Sequence, residues 1–253
     1  MRSASFSLTP IATIDGCYPD KFGVPRQPGL APSAQAWVTL LEEFADPDAV
    51  RGLEHFSHLW LTFVFHLNPT QWHPLVRPPR LGGNRKIGVF ASRATFRPNR
   101  LGLSLVELLE VKIDHGVQLL IRGHDLVNGT PVVDIKPYLP WGESIPEARA
   151  GFAPAPPSLC PVTFTTDARQ TLARQPDPAT LEMLITEVLG QDPRPAYHSI
   201  KSERRYAVRL GQYDVGFRTI SLTEPYQEGE QHTVAAPTLE VLDITRLPSG
   251  NAR

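Results

Sequence analysis

Apolar and polar positions alternate in short stretches over the first 140 residues, and no single period is kept for long. Residues 6–14, FSLTPIATI, predict a first strand. Residues 35–44, QAWVTLLEEF, are ambiguous between strand and helix. The segment 57–66, SHLWLTFVFH, is dense in aromatic and β-branched residues and predicts a buried strand. IGVFASRA (87–94), LSLVELLEVKI (103–113), VQLLIRGHDL (117–126) and PVVDIKPYL (131–139) predict further strands. The DHG turn at 114–116 joins two of them as a hairpin. Short strands at this spacing favour a closed or nearly closed β-barrel over a parallel α/β sheet. Residues 68–84, NPTQWHPLVRPPRLGGN, interrupt the series as a long irregular loop, a place where function concentrates.

The pattern changes after residue 147. Residues 148–160, within the Pro- and Ala-rich run PEARAGFAPAPPSLCP, predict a linker. PVTFTTDA (161–168) predicts a strand. Residues 177–193 predict a helix, because Leu181, Leu184, Ile185, Val188 and Leu189 fall on one face and Gly190 marks its stop. RYAVRL and YDVGFR alternate like a hairpin around Gly211-Gln212, and the tail from about 225 is polar with weak pattern. The fold expected is therefore mainly β. It comprises an N-terminal β-barrel over 1–147 and a smaller C-terminal α+β domain over 161–253.

Composition narrows the class. The 253 residues include 26 prolines, about twice the usual share, which disfavours long helices. Two cysteines cannot form a disulfide framework, and a cytoplasmic setting is expected. No apolar run approaches a membrane span, so no membrane partner is expected, and the N-terminus lacks a signal-peptide core.

Net charge is -1, yet charge is segregated. No Asp or Glu lies between Glu54 and Glu107, while Arg77, Arg80, Arg85, Lys86, Arg93, Arg97 and Arg100 do. That pattern fits a solvated loop paired with carboxylates elsewhere, or a phosphate-binding face on which arginine's planar fork is useful. Arg194, His198, Lys201, Arg204 and Arg205 form a second basic cluster with the same two readings. His55, His58, His66 and His73 do not have a metal-ligand spacing, and no metal is expected. Cys17 has no histidine near it in sequence, there is no GxSxG, and the dinucleotide and P-loop glycine patterns are absent.

The runs VPRQPG (24–29), VRGLEHFSHLW (50–60), RPPRLGGN (77–84), GVFASRATFRPN (88–99), GLSLVEL (102–108) and DLVNGTPVVDIKPYLP (125–140) resemble the TsaA-like family. VLGQDPRPAY (188–197) is similar to the C-terminal domain of its bacterial members. The resemblance implies a methyltransferase that uses S-adenosylmethionine on a β-barrel instead of a Rossmann-like fold. It implies methylation of N6 of threonylcarbamoyladenosine at position 37, in the tRNA anticodon loop. It also implies a homodimer with the cofactor site near the subunit interface.

By motif, the cofactor contacts implied are Pro25, Arg26, Gln27, His66, Leu67, Arg93, Leu103, Asp125, Leu126, Val127, Asn128, Gly129 and Thr130. The tRNA contacts expected are Arg77, Arg80, Arg85, Arg97, Arg194, Arg204 and Arg205. Transfer to N6 calls for a proton acceptor, for which Asp134 and Tyr138 are candidates; Asp134 could equally be a structural carboxylate. Two positions depart from the family pattern: Asn128 stands where Asp is usual, and Arg100 where Pro is usual. Two rival readings stay open, a non-catalytic RNA-binding barrel and a same-fold methyltransferase acting on a small molecule.

Overall fold

The computed structural model describes residues 6–82, 85–194, 204–220 and 237–248. The first half builds β1 (Ala12–Gly16), β2 (Gln35–Leu40), β3 (His58–Val64), a two-residue pair β4 (Leu75–Val76) and β5 (Ile87–Gly88), then β6 (Leu101–Lys112), β7 (Gln118–Arg122) and β8 (Pro131–Pro137). Six of these close into an antiparallel barrel in the order β1-β2-β7-β6-β3-β8. Period-two alternation decides what fills it. On β3, Leu59, Leu61 and Phe63 are buried, while Trp60 and Thr62 face outward. Ile14, Val38, Val106, Leu119, Ile121 and Val132 join them in one core. The β6–β7 hairpin turns at 113–117 with Gly116 at φ 116°, as the DHG run predicts.

The second half carries a short helix α1 (Pro140–Glu143), β9 (Val162–Phe164), α2 (Thr166–Ala173), α3 (Pro178–Gly190), β10 (Tyr206–Leu210), β11 (Tyr213–Ile220) and β12 (Thr238–Arg246). Asp177 caps α3 by accepting from the Thr180 N–H, and Pro178 pre-sets the first turn. The sheet order is β10-β11-β12-β9, with β9 parallel to β12. The fold is therefore mainly β, with a closed barrel followed by an α+β unit.

Four segments differ from the sequence pattern. The first strand starts at Ala12, because Pro10 cannot donate to a ladder, and Phe6 and Leu8 are exposed. The ambiguous 35–44 run is strand to Leu40 and a 3₁₀ turn over Glu42–Phe44. Of 87–94 only Ile87–Gly88 is strand. The rest is a turn whose Val89 and Ser92 carbonyls accept from the Arg97 guanidinium instead of a neighbouring strand. The tail holds the longest strand of its sheet, β12, whose Leu239, Val241 and Ile244 are buried.

The loop between β1 and β2, residues 17–34, belongs to both halves. Its Tyr18, Ala31 and Ala34 are fully buried within the C-terminal core, alongside Ile185, Leu189 and Val208.

Candidate active site

A cavity of about 740 Å³ opens where four stretches meet. These are the β1–β2 loop, the end of β3 with 65–68, the 92–97 turn with the start of β6, and the turn after β7. Its walls are largely apolar, from Phe63, Phe65, Leu101 and Leu126, with a few polar groups among them. That mixture suits a compact organic ligand with polar ends.

Eleven of the thirteen residues expected to hold a cofactor line it: Pro25, Arg26, Gln27, His66, Leu67, Arg93, Leu103, Asp125, Leu126, Val127 and Thr130. Segments a hundred residues apart thus converge on one space. The other two, Asn128 and Gly129, turn toward β1. Asn128 Oδ1 accepts from the Gly16 N–H at 3.0 Å, its own N–H donates to Tyr18, and the Gly129 N–H donates to Ile14. An amide oxygen makes that bond as a carboxylate would, so Asn128 in place of Asp leaves the cavity untouched. At the second departure, Arg100 has a φ of 53°, closed to proline's ring, and its guanidinium donates to the Asn68 carbonyl.

Asp125 dominates the electrostatics. It sits behind β6, where the Ser104 hydroxyl donates to its Oδ1. Burial pushes its carboxyl up to about 6, against the pull of Ser104 and the Arg93 charge. Among the described residues no cation pairs with it within 4 Å. Burial also lowers the His66 imidazole, keeping it neutral at neutral pH. Lys21, not singled out by the sequence, donates to the Leu67 carbonyl at the rim. At Gly102 an added Cβ would lie 2.2 Å from the Phe63 ring, so only glycine lets that ring form the cavity floor. Its register opposite Phe63 is visible only once β3 and β6 are paired.

Asp134 and Tyr138 are not in the cavity. Asp134 is exposed on the outer face of β8, near Lys136, and Tyr138 packs edge-on against His58 and Trp60. A bulge in β8, where Phe63 pairs with Val132 but Thr62 with Asp134, breaks the alternation and turns position 134 away from the site.

The basic residues divide. Arg77, Arg80 and Arg85 are exposed on the long loop, with Arg80 donating to the Ala155 carbonyl. Arg97 lines the cavity and braces its own turn through Val89 and Ser92. Arg194 is 4% exposed, ion-paired with Asp192 and hydrogen-bonded to Thr219, which corrects its reading as a tRNA contact. Arg205 is exposed and pairs with Asp243, and Arg204 is exposed beside Tyr206. His198 and Lys201 lie outside the described residues.

The fold brings Cys17 Sγ to 3.7 Å from His124 Nε2, a pairing invisible in sequence. Burial raises the thiol to about 12 and lowers the imidazole to about 4, so both are neutral and neither is activated. Among the described residues no group of three His, Cys, Asp or Glu side chains could hold a metal.

A family model described as tRNA-methyltransferase O N-terminal domain matches residues 13–144, and one described as TrmO C-terminal domain matches 157–223. The chain belongs to the tRNA-methyltransferase O family. A relative in this family, the Escherichia coli K12 protein named tRNA (adenine(37)-N6)-methyltransferase, is 50% identical over 220 residues, covering 85% of this chain and 94% of its own. A Methanothermobacter thermautotrophicus relative, named "Probable S-adenosyl-L-methionine-binding protein", is 38% identical over 138 residues, covering 54% of this chain and 93% of its own. A crystal structure of TrmO from Pseudomonas aeruginosa matches with a TM-score of 0.72 at 36% identity, covering 96% of this chain and 99% of that one.

Proposed function

We propose that the protein is an S-adenosylmethionine-dependent tRNA methyltransferase that methylates N6 of threonylcarbamoyladenosine at position 37 of the anticodon loop. The observation that carries this reading is the convergence of residues 25–27, 66–67 and 125–127 on one cavity in a member of this family.

The side chains present fit such a cofactor. A largely buried carboxylate with no ion pair among the described residues, Asp125, suits a ligand that brings its own positive charge. Arg26, Arg93 and Lys21 at the rim suit a carboxylate end, and Phe63, Phe65 and Leu126 suit an adenine ring. When bound, S-adenosylmethionine supplies an electrophilic sulfonium methyl group.

The chain's own groups have three tasks. The apolar walls exclude water from the reacting atoms. The cavity fixes the nucleoside so that N6 faces the methyl group, and this positioning supplies much of the rate. Two groups lining the cavity can take the N6 proton: the neutral His66 imidazole and the Asp125 carboxylate. Arg77, Arg80 and Arg85, on an exposed basic loop, are the residues best placed to meet tRNA phosphates.

The reading extends to assembly and compartment. Trp72 and Phe90 stack at 6.4 Å on the surface, and Phe96 is half exposed on the cavity wall. An apolar patch beside an open cavity supports a homodimer that covers both. Trp60, outside this patch, donates its Nε1–H to Glu143. Among the described residues no helix is long and apolar enough to cross a membrane. A tRNA substrate supports a cytoplasmic setting.

The test is transfer of label from S-adenosylmethionine to tRNA with and without the threonylcarbamoyl group. Label should enter only the modified tRNA. Transfer to a small molecule alone, or to neither tRNA, overturns the proposal.

A further inference from the structure

We infer that the C-terminal unit positions the cavity's Pro25-Arg26-Gln27 wall, with Glu187 and Val208 as its positioning residues. The inference rests on reading the cavity as the cofactor site.

The wall is a loop whose supports are shared between the two halves. On the barrel side, the Gly29 N–H donates to the Gly123 carbonyl, and the Gly123 N–H to Ala34. Everything on the other side comes from residues more than 150 positions away. Glu187, on α3, accepts from both the Ser33 N–H at 2.9 Å and the Ser33 hydroxyl at 2.6 Å. Gln191 donates to the Leu30 carbonyl at 3.1 Å. The Gly211 N–H, at the β10–β11 turn, donates to the Cys17 carbonyl at 2.7 Å. Phe22 and Val24, which bracket Gly23, pack on the C-terminal core.

Gly23 shows how close this fit is. Its φ is 93°, and an added Cβ would lie 2.3 Å from Val208 Cγ2. Backbone and sheet touch two residues before Pro25. A loop of this length left to itself would sample many conformations, and Arg26 would face the cavity only part of the time. Fixing residues 17, 22–24, 30 and 33 on the C-terminal sheet and helix removes that freedom before the ligand arrives. A carboxylate that takes two donors from one serine is a strong clip, because both bonds are charge-assisted.

The assignment separates two roles for the C-terminal unit. Its buried Arg194 and paired Arg205 are committed to its own structure, whereas α3 and β10 face the cofactor loop.

Full-length Glu187→Ala, Glu187→Gln and Ser33→Ala variants test it, with S-adenosylhomocysteine as the titrated probe. Glu187→Ala should raise the probe's Kd about fivefold or more, the scale of one strong hydrogen bond. Glu187→Gln, which keeps an acceptor oxygen for Ser33, should return it to within about twofold of wild type. In turnover, KM for S-adenosylmethionine should rise while kcat at saturation and tRNA affinity hold. Ser33→Ala, which removes only a hydroxyl, should raise Kd in the same direction and serves if Glu187→Ala does not fold. A merely structural contact would lower the melting temperature of these variants and leave Kd and KM where they were, and that result overturns the inference. Arg26→Ala is the control for the site. If it raises Kd while the Glu187 and Ser33 variants do not, the positioning role is wrong; if none of them moves Kd, the cavity reading fails first.

Discussion

Replacing Asp125 by Asn separates two opposing pH responses built into adjacent residues. Burial lifts the Asp125 carboxyl from 3.8 to about 6, with the Ser104 hydroxyl and the Arg93 charge pulling the other way. A folded pKa above the unfolded one contributes stability at low pH that is lost as pH rises through about 6. At 1.36 kcal/mol per pK unit, the folded chain gives up about 1 kcal/mol through this group between pH 5 and pH 7. His124 runs in reverse. Burial lowers its imidazole from 6.5 to about 4, so its contribution is present above 6.5 and lost as pH falls toward 4. Over the same interval it gains about 2 kcal/mol. The two largely offset each other, so wild type should change little from these groups together.

Asp125→Asn removes the first response and keeps the second, since the amide oxygen still accepts from Ser104. The variant should therefore gain about 2 kcal/mol on going from pH 5 to pH 7, where wild type gains little. Urea unfolding at both pH values, with unchanged slopes, reads the difference directly. Parallel wild-type and variant profiles would refute the assignment of a raised carboxyl. The same group predicts ligand linkage. If the ionised carboxylate meets the cofactor's cation, wild-type affinity for S-adenosylmethionine should fall about tenfold from pH 7 to pH 5, and the variant's should stay flat.

Gly102→Ala should cost about 1–3 kcal/mol and raise KM for S-adenosylmethionine, because the new methyl displaces the Phe63 ring from the cavity floor. A melting temperature and KM equal to wild type would show that the ring adapts freely. Arg194→Ala should destabilise by about 3 kcal/mol, since it breaks an ion pair around a buried guanidinium, without changing the salt dependence of tRNA binding. Asp134→Asn should leave methyl transfer within about twofold of wild type, because its carboxylate is exposed outside the cavity. Light scattering should give twice the chain mass of 28.0 kDa. A monomer with full activity would remove the second subunit from the site.

What the sequence made legible was whatever is decided within one element. β3 declares itself because Leu59, Leu61 and Phe63 alternate with outward residues, and α3 because its apolar positions share one face. β12 is hard to read although Leu239, Val241 and Ile244 carry a strand pattern, because polar neighbours weaken it and one of its two partners, β9, lies far back along the chain. The same limit explains the site. Motif resemblance marks Arg26, His66 and Asp125 one by one, but a run of residues carries no record of what holds it in place. Asp134 and Tyr138 are as suggestive in a string as Asp125, and only a bulge between Val132 and Asp134, which no string shows, turns Asp134 outward. Clustered arginines likewise read as one surface until Asp192, Thr219 and Asp243 engage Arg194 and Arg205.

Gly23 is the sharpest instance of this limit. In sequence it is one glycine of a loop; in the fold it is the point where Val208, 185 positions later, excludes any other side chain. Gly23→Ala therefore meets a backbone conformation that disfavours alanine and a methyl contact at once, and the loop must lift from the C-terminal sheet to relieve them. Arg26 would move with it. If cofactor affinity depends on the loop's position, this change, which touches no ligand atom, should weaken binding more than it weakens folding. The comparison of Kd with unfolding free energy in one variant decides between a loop that is held for function and one that is merely packed.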